Sequence, residues 1–186
     1  MSTPSAPAIS QPEPWLRGTH ADVQPTARAV LHAFELARED VHKWAADLSE
    51  AELHASPAGL TPISYHLRHI PGTLDRLLTY AEGRQLSPEQ LKALKAESTP
   101  GATRDELFAA FDSGLAAAAE RVRALAADDL NGPRAIGRKQ LPASLGGILV
   151  HLADHTQRHT GQIVTTAKLL KAIGQPGVNF GIHGLK

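Results

Sequence analysis

His151-Leu-Ala-Asp-His155-Thr-Gln-Arg-His159-Thr-Gly-Gln-Ile163 decides how this chain folds. Three histidines recur at four-residue steps, between apolar residues spaced three, four and seven apart. That is the period of an α-helix with one apolar stripe. With Leu145 set at zero and about 100° of turn per residue, Leu149, Leu152, Ile163 and Leu170 fall within about 40° of it. His159 then lies about 40° from the centre of the stripe, His155 about 80°, His151 about 120°, and Asp154 on the opposite side. His155 and His159 therefore belong to the buried flank, His151 to its margin and Asp154 to solvent. Imidazoles four residues apart stand about 6 Å from each other on one helix face. That spacing lets a single helix offer two ligands to one ion.

This helix runs from about Leu141 to Ile173 and is closed by Gly174 and Pro176. Three more segments upstream carry the same period. The first spans about Gln24 to Asp47, with Val30, Phe34, Ala37, Val41 and Trp44 on its stripe. The second starts at Thr61-Pro62, a hydroxyl cap followed by proline, and runs to Ala81 before Gly83. The third opens at Thr103, with Glu106 completing a capping box, and continues through Phe111 and an alanine run to Ala127. Strand signals are confined to Arg134–Leu141. Four long amphipathic segments without alternating runs predict an all-α four-helix bundle. The long stretch from Glu82 to Ala102, with an extra helical turn at Ser87–Leu91, predicts a crossover connection between the second and third helices. Leu48-Ser-Glu-Ala-Glu-Leu53 and Leu125-Ala-Ala-Asp-Asp-Leu130 follow the first and third helices alike. The echo suggests two helix pairs that bring the second and fourth helices together.

Composition narrows the chemistry. The 186 residues suit one domain, expected at 19–174, after a Pro/Ser-rich disordered leader (1–18) and before a tail (175–186). Lys+Arg and Asp+Glu both total 19, so the net charge of zero argues against nucleic acid or an anionic membrane as partner. No secretory signal and no membrane span are legible, which suggests a cytoplasmic protein. Ten histidines stand beside no cysteine at all. Disulfide scaffolds, thiolate nucleophiles, iron–sulfur clusters and cysteine zinc sites are thereby excluded. Nucleophile elbows, Walker loops and dinucleotide fingerprints are missing as well. A transition metal here must be held by imidazole and carboxylate.

The second helix carries His66 and His69, about 60° and 120° from its stripe. Either one, joined to His155 and His159, completes a three-histidine site in the bundle interior. Rotation favours His66, and spacing alone does not choose. Three protein ligands leave coordination positions open, the pattern of a catalytic rather than a structural metal site. His20, His32, His42, His54 and His183 read as ordinary hydrogen-bonded histidines.

Pro62-Ile-Ser-Tyr-His-Leu-Arg-His69-Ile70, the His151–Ile163 stretch and the Leu48–Leu53 lead together resemble the DinB/YfiT-like family of metalloenzymes. The likeness spans about residues 20–173. It implies a four-helix bundle, commonly a homodimer, with a divalent ion such as zinc or nickel on His69, His155 and His159. His66 then becomes a pocket residue, and His151 and Gln162 are the other candidates to border the ligands. Two positions depart from the family pattern. Thr160 stands where an arginine often follows the last ligand, and Leu60 where an aromatic often precedes the second helix. The resemblance implies a small-molecule substrate and a transferase in which a low-molecular-weight thiol, as metal-bound thiolate, attacks an electrophile. Because the chain has no cysteine, that thiol is a cofactor or substrate. A hydrolase using metal-bound hydroxide, with His66 or His151 moving protons, and a non-enzymatic stress-related metal-binding bundle are the alternatives.

Overall fold

The computed structural model describes residues 11–174, so the tail expected at 175–186, with Pro176 and His183, lies outside the described residues, as does 1–10 of the leader. Six helices and one hairpin follow in the order α1 (Pro25–Ala45), α2 (Glu50–His54), α3 (Ile63–Ala81), α4 (Pro88–Ala96), α5 (Arg104–Ala124), β1 (Pro133–Ile136), β2 (Leu141–Ser144) and α6 (Leu145–Ile173). The chain is therefore mostly helical. None of these helices is long and apolar enough to cross a membrane.

The helix starts follow from local chemistry. Gln24 accepts the Thr26 N–H at α1, where Pro25 fixes the first helical φ. Reciprocal capping boxes open α2 (Ser49 with Glu52), α4 (Ser87 with Gln90) and α5 (Thr103 with Glu106). Thr61, expected to cap α3, does not: Pro62 takes the cap position and no side chain bonds the first turn. The preceding turn carries Ala58 and Gly59 in the left-handed region, at φ 52° and 77°, and delivers the chain to α3 already extended.

The apolar stripes meet as their periods require. α1 packs on α6, and α3 packs on both α5 and α6. Phe111, Leu67, Ile70, Leu74, Leu149 and Leu152 are fully buried between them. α3 and α5 approach closely because Gly114 faces Pro71, whose Cβ would stand 2.2 Å from a Cβ at position 114. Four residues expected in the last helix, Leu141–Ser144, instead form β2 and pair antiparallel with β1, Ile136 opposite Leu141 and Pro133 opposite Ser144. The hairpin turn places Gly137 and Gln140 at positive φ, and Ser144 then caps α6 by accepting the Gly147 N–H at 3.1 Å.

The expected helical turn at Ser87 extends into α4, none of whose residues is buried. It is tethered to α3 by polar contacts, with Gln90 Nε2 donating to Asp75 Oδ2 (2.7 Å) and Thr79 Oγ1 (2.8 Å). Residues 11–18, expected within the leader, hold a 3-10 turn at Pro14–Leu16 with Pro14 buried. Arg17 forks onto the Glu39 carboxylate of α1 at 2.5 and 2.8 Å.

Candidate metal centre

α3 and α6 lie side by side with their histidine-bearing flanks in register. The His155 and His159 ring centres are 4.5 Å apart, those of His69 and His159 4.6 Å, and those of His69 and His155 5.1 Å. One nitrogen from each of His69, His155 and His159 lies within 4.8 Å of the other two. All three rings are half-buried, close enough to share one ion and open on one side.

The surroundings prepare these rings as ligands. Burial, then the neighbouring His159 and His69, pushes the His155 imidazole down to about 4. His159 is lowered by burial and then by His69. Both are neutral at pH 7, the form in which imidazole binds a metal. His155 Nδ1 is buried with no hydrogen-bond partner. An orphaned polar nitrogen costs about 1–3 kcal/mol, a cost that a cation held at the cluster can offset. A three-imidazole donor set suits zinc or nickel, so the residues fit a divalent ion.

His66 is only 2% exposed and stands behind His159, their Nδ1 atoms 3.1 Å apart across a hydrogen bond. Burial, then His159 and His69, lowers His66 to about 4. Two neutral rings sharing one Nδ1–Nδ1 bond carry one proton between those atoms, so the pair locks its own tautomers. His69 is fixed differently. Its Nδ1 lies 2.7 Å from Glu97 Oε2, and the Tyr65 ring stacks on it at 5.0 Å. Burial opposes ionisation of Glu97, but hydrogen bonds from His69 and Arg76 outweigh it and hold the carboxyl below its ordinary range.

The bordering residues separate clearly. His151 is exposed, its ring 5.5 Å from His155 and its Nδ1 3.6 Å from Asp154. Asp154 is solvated and pairs with Arg158 at 2.5 Å. Gln162 is exposed and lines, with His66, Arg158, Thr165 and Leu60, an open cleft of about 510 Å³ that none of the three clustered rings lines and that His66, bonded to His159, separates from them. Thr160 is buried and donates its hydroxyl to the Thr156 carbonyl, so no side chain from that position reaches the cleft.

His20, His32 and Glu35 form a second group with ligand-type atoms within 4.8 Å, and its chemistry is different. His20 Nδ1 faces the Arg123 guanidinium at 2.5 Å, which forces it to accept, and its Nε2 lies 2.7 Å from Glu35 Oε1, which forces that nitrogen to donate. Thr19 occupies His32 Nε2 at 3.0 Å. Both His20 nitrogens are spent, and a cation already sits beside the group. His42 bonds Asp112, and His54 bonds the Ala102 carbonyl.

Glu97 was not legible as a site residue. It is one carboxylate among 19 acidic residues, and it follows a short helix with no apolar stripe. A weak signal existed in Gly72 and Arg76, about one turn apart on α3, which leave room and charge for a carboxylate.

The described residues are mostly helical, and three imidazoles converge closely enough that they could hold one metal ion. The sequence model of the DinB superfamily matches residues 33–163, and the chain belongs to that superfamily. The match includes His66, His69, His155 and His159. No curated protein matches the chain.

Proposed function

We propose that His69, His155 and His159 hold one divalent ion, zinc or nickel, and that the protein is a metal-dependent enzyme transferring a small thiol to an electrophile. The observation that carries this reading is the partly exposed cluster of three imidazoles, next to His66, which lines a cleft large enough for a small molecule. A divalent ion there supplies Lewis acidity, lowering the pKa of a thiol or water beside it so that the nucleophile is anionic at neutral pH. The chain's own residues do the rest. The His66–His159 bond keeps His159 turned toward its neighbours, Leu60 provides an apolar wall, and Gln162, Thr165 and Arg158 offer hydrogen bonds to the substrate. The thiol comes from outside the chain because no side chain can provide it.

The same reading takes α1, α3, α5 and α6 as a four-helix bundle whose α3–α5 connection, carrying α4, is the crossover. Support comes from the packing of α3 against both α5 and α6. Hydrolysis is the second reading, favoured by one observation: the exposed His151 ring lies 5.5 Å from His155, placed to pass a proton between an attacking water and solvent.

Elemental analysis of untagged protein, followed by turnover of an electrophile panel with and without added low-molecular-weight thiols, tests the proposal. Expected are about one ion per chain, activity that needs both metal and thiol, and loss of both metal and activity in His155→Ala. Turnover without thiol favours hydrolysis. Full activity in rigorously metal-free protein overturns the metal mechanism, and metal without any turnover leaves a binding protein.

A further inference from the structure

The contact between His69 and Glu97 joins two parts of the chain that share almost no apolar surface. Glu97 lies just beyond α4 and is 7% exposed, deep burial for a carboxylate. Its Oε1 accepts from Arg76 Nη1 at 2.5 Å, and Arg76 Nη2 donates to Thr73 Oγ1 at 2.9 Å. Gly72 makes the approach possible, since a Cβ there would stand 2.5 Å from Glu97 Oε1. A buried ionised carboxylate is costly unless its charge and lone pairs are satisfied. Arg76 satisfies one oxygen, and His69 Nδ1, at 2.7 Å, is the partner of the other.

A carboxylate oxygen accepts, so the 2.7 Å contact is His69 Nδ1–H donating to Glu97 Oε2, and Nε2 is the nitrogen left for a metal ion. Carboxylate–histidine pairs of this kind fix the tautomer and ring angle of a metal ligand and raise its basicity. We propose that Glu97 is the positioning residue of the metal centre, and that through it the docking of α4 and the binding of the ion are one coupled event. This rests on the metal reading above. The remaining ties of this segment are polar: the Gln90 bonds to α3, and Arg68 donating to the Ala96 and Thr99 carbonyls. With no buried apolar residue of its own, α4 depends on such ties. Coupling is reciprocal: an ion that prefers the oriented His69 holds α4 down, and loosening α4 weakens the ion.

The test uses the full chain. Zinc affinity is measured by competition with a chromophoric chelator at neutral pH in wild type, Glu97→Gln, Glu97→Asp and Arg76→Met. The His69 tautomer is read from long-range ¹H–¹⁵N spectra of the metal-free protein. Hydrogen exchange is followed over residues 88–97 with and without zinc. Expected is a 10–100-fold loss of zinc affinity in Glu97→Gln, a His69 Nδ1–H tautomer in wild type, and slower α4 exchange on zinc binding that is lost in the variant. Glu97→Asp keeps the charge beside Arg76 but withdraws it from His69, and it gives the same loss should Glu97→Gln fail to fold. Arg76→Met strips the buried carboxylate of its charged partner, so it too is expected to lose zinc affinity although the Glu97 side chain is intact. Equal zinc affinity in wild type and both Glu97 variants overturns this inference and leaves the metal reading standing. A wild type that binds no zinc overturns the reading and the inference with it.

Discussion

Three neutral imidazoles packed together make the metal-free protein sensitive to mild acid. His66 has an ordinary value of 6.5 when unfolded and about 4 when folded. Its folded pKa is depressed, so the unfolded chain binds the extra proton between those two values, and stability falls as pH drops through that window. At pH 5 the difference is about 0.9 proton, a slope of about 1.2 kcal/mol per pH unit, and the integral from about 6.5 down to 4 is about 3 kcal/mol. His155 has the same pair of values but is only half-buried, and solvent screening reduces its share to about half of that. The loss totals roughly 4–5 kcal/mol, a large part of the roughly 5–15 kcal/mol that holds a domain folded. Carboxylates do not mimic it. Glu97, Glu82 and Glu39 have depressed values, so their contribution is complete above about 4.5 and is lost only below that pH. Urea unfolding of chelator-treated protein, followed by far-UV circular dichroism at half-unit steps from pH 7 to 4.5, measures the slope. His66→Asn should flatten it by about 1 kcal/mol per pH unit. A wild-type stability that stays level between pH 6.5 and 5, or a slope unchanged in the variant, refutes the reasoning.

Two further predictions concern packing and selectivity. Gly114→Ala drives a methyl into Pro71 at 2.2 Å, against the rigid ring of a helix interior, and should cost about 3 kcal/mol in a urea titration; a loss under about 0.5 kcal/mol means that α3 and α5 part easily. His32→Ala should leave the metal content at its wild-type value by elemental analysis, because the His20–Glu35–Arg123 network is closed without a metal; a lost ion would mean that the second cluster binds one.

Periodicity located α1, α3, α5 and α6 because each buries one continuous stripe, and the Thr103–Glu106 box marked a start to the residue. Where no stripe exists, the pattern fell silent. α4 runs five residues past Leu91 although nothing in Lys92–Ala96 faces the core. Leu141 fits the helical count before Leu145 but is 57% exposed and belongs to a hairpin; its register is set by backbone twist at Gly137 and Gln140, not by side-chain polarity. Thr61 failed as a cap because the left-handed turn at Ala58 and Gly59 settles the entry to α3 before the hydroxyl is reached.

The choice between His66 and His69 turns on more than rotation about one helix, because the proposed site is shared by two. The estimate placed His66 nearer the stripe, and it is indeed the more buried, at 2% exposure. Deep burial is the wrong criterion for an open metal site, however. A ring deep in the α3–α6 seam offers little surface to the cleft it lines and supports a neighbour instead, as His66 does for His159. A ring nearer the margin meets the α6 pair on one side and Tyr65 and Glu97 on the others. His69 holds that place. A marginal ring is also the one least fixed by packing, so it needs orienting partners. α3 itself offers Tyr65, stacked on the ring with its hydroxyl 3.3 Å from Nδ1, and the connection through α4 adds Glu97 at 2.7 Å. The connection between α3 and α5 thus contributes more than a path between helices: it brings the Glu97 carboxylate onto His69.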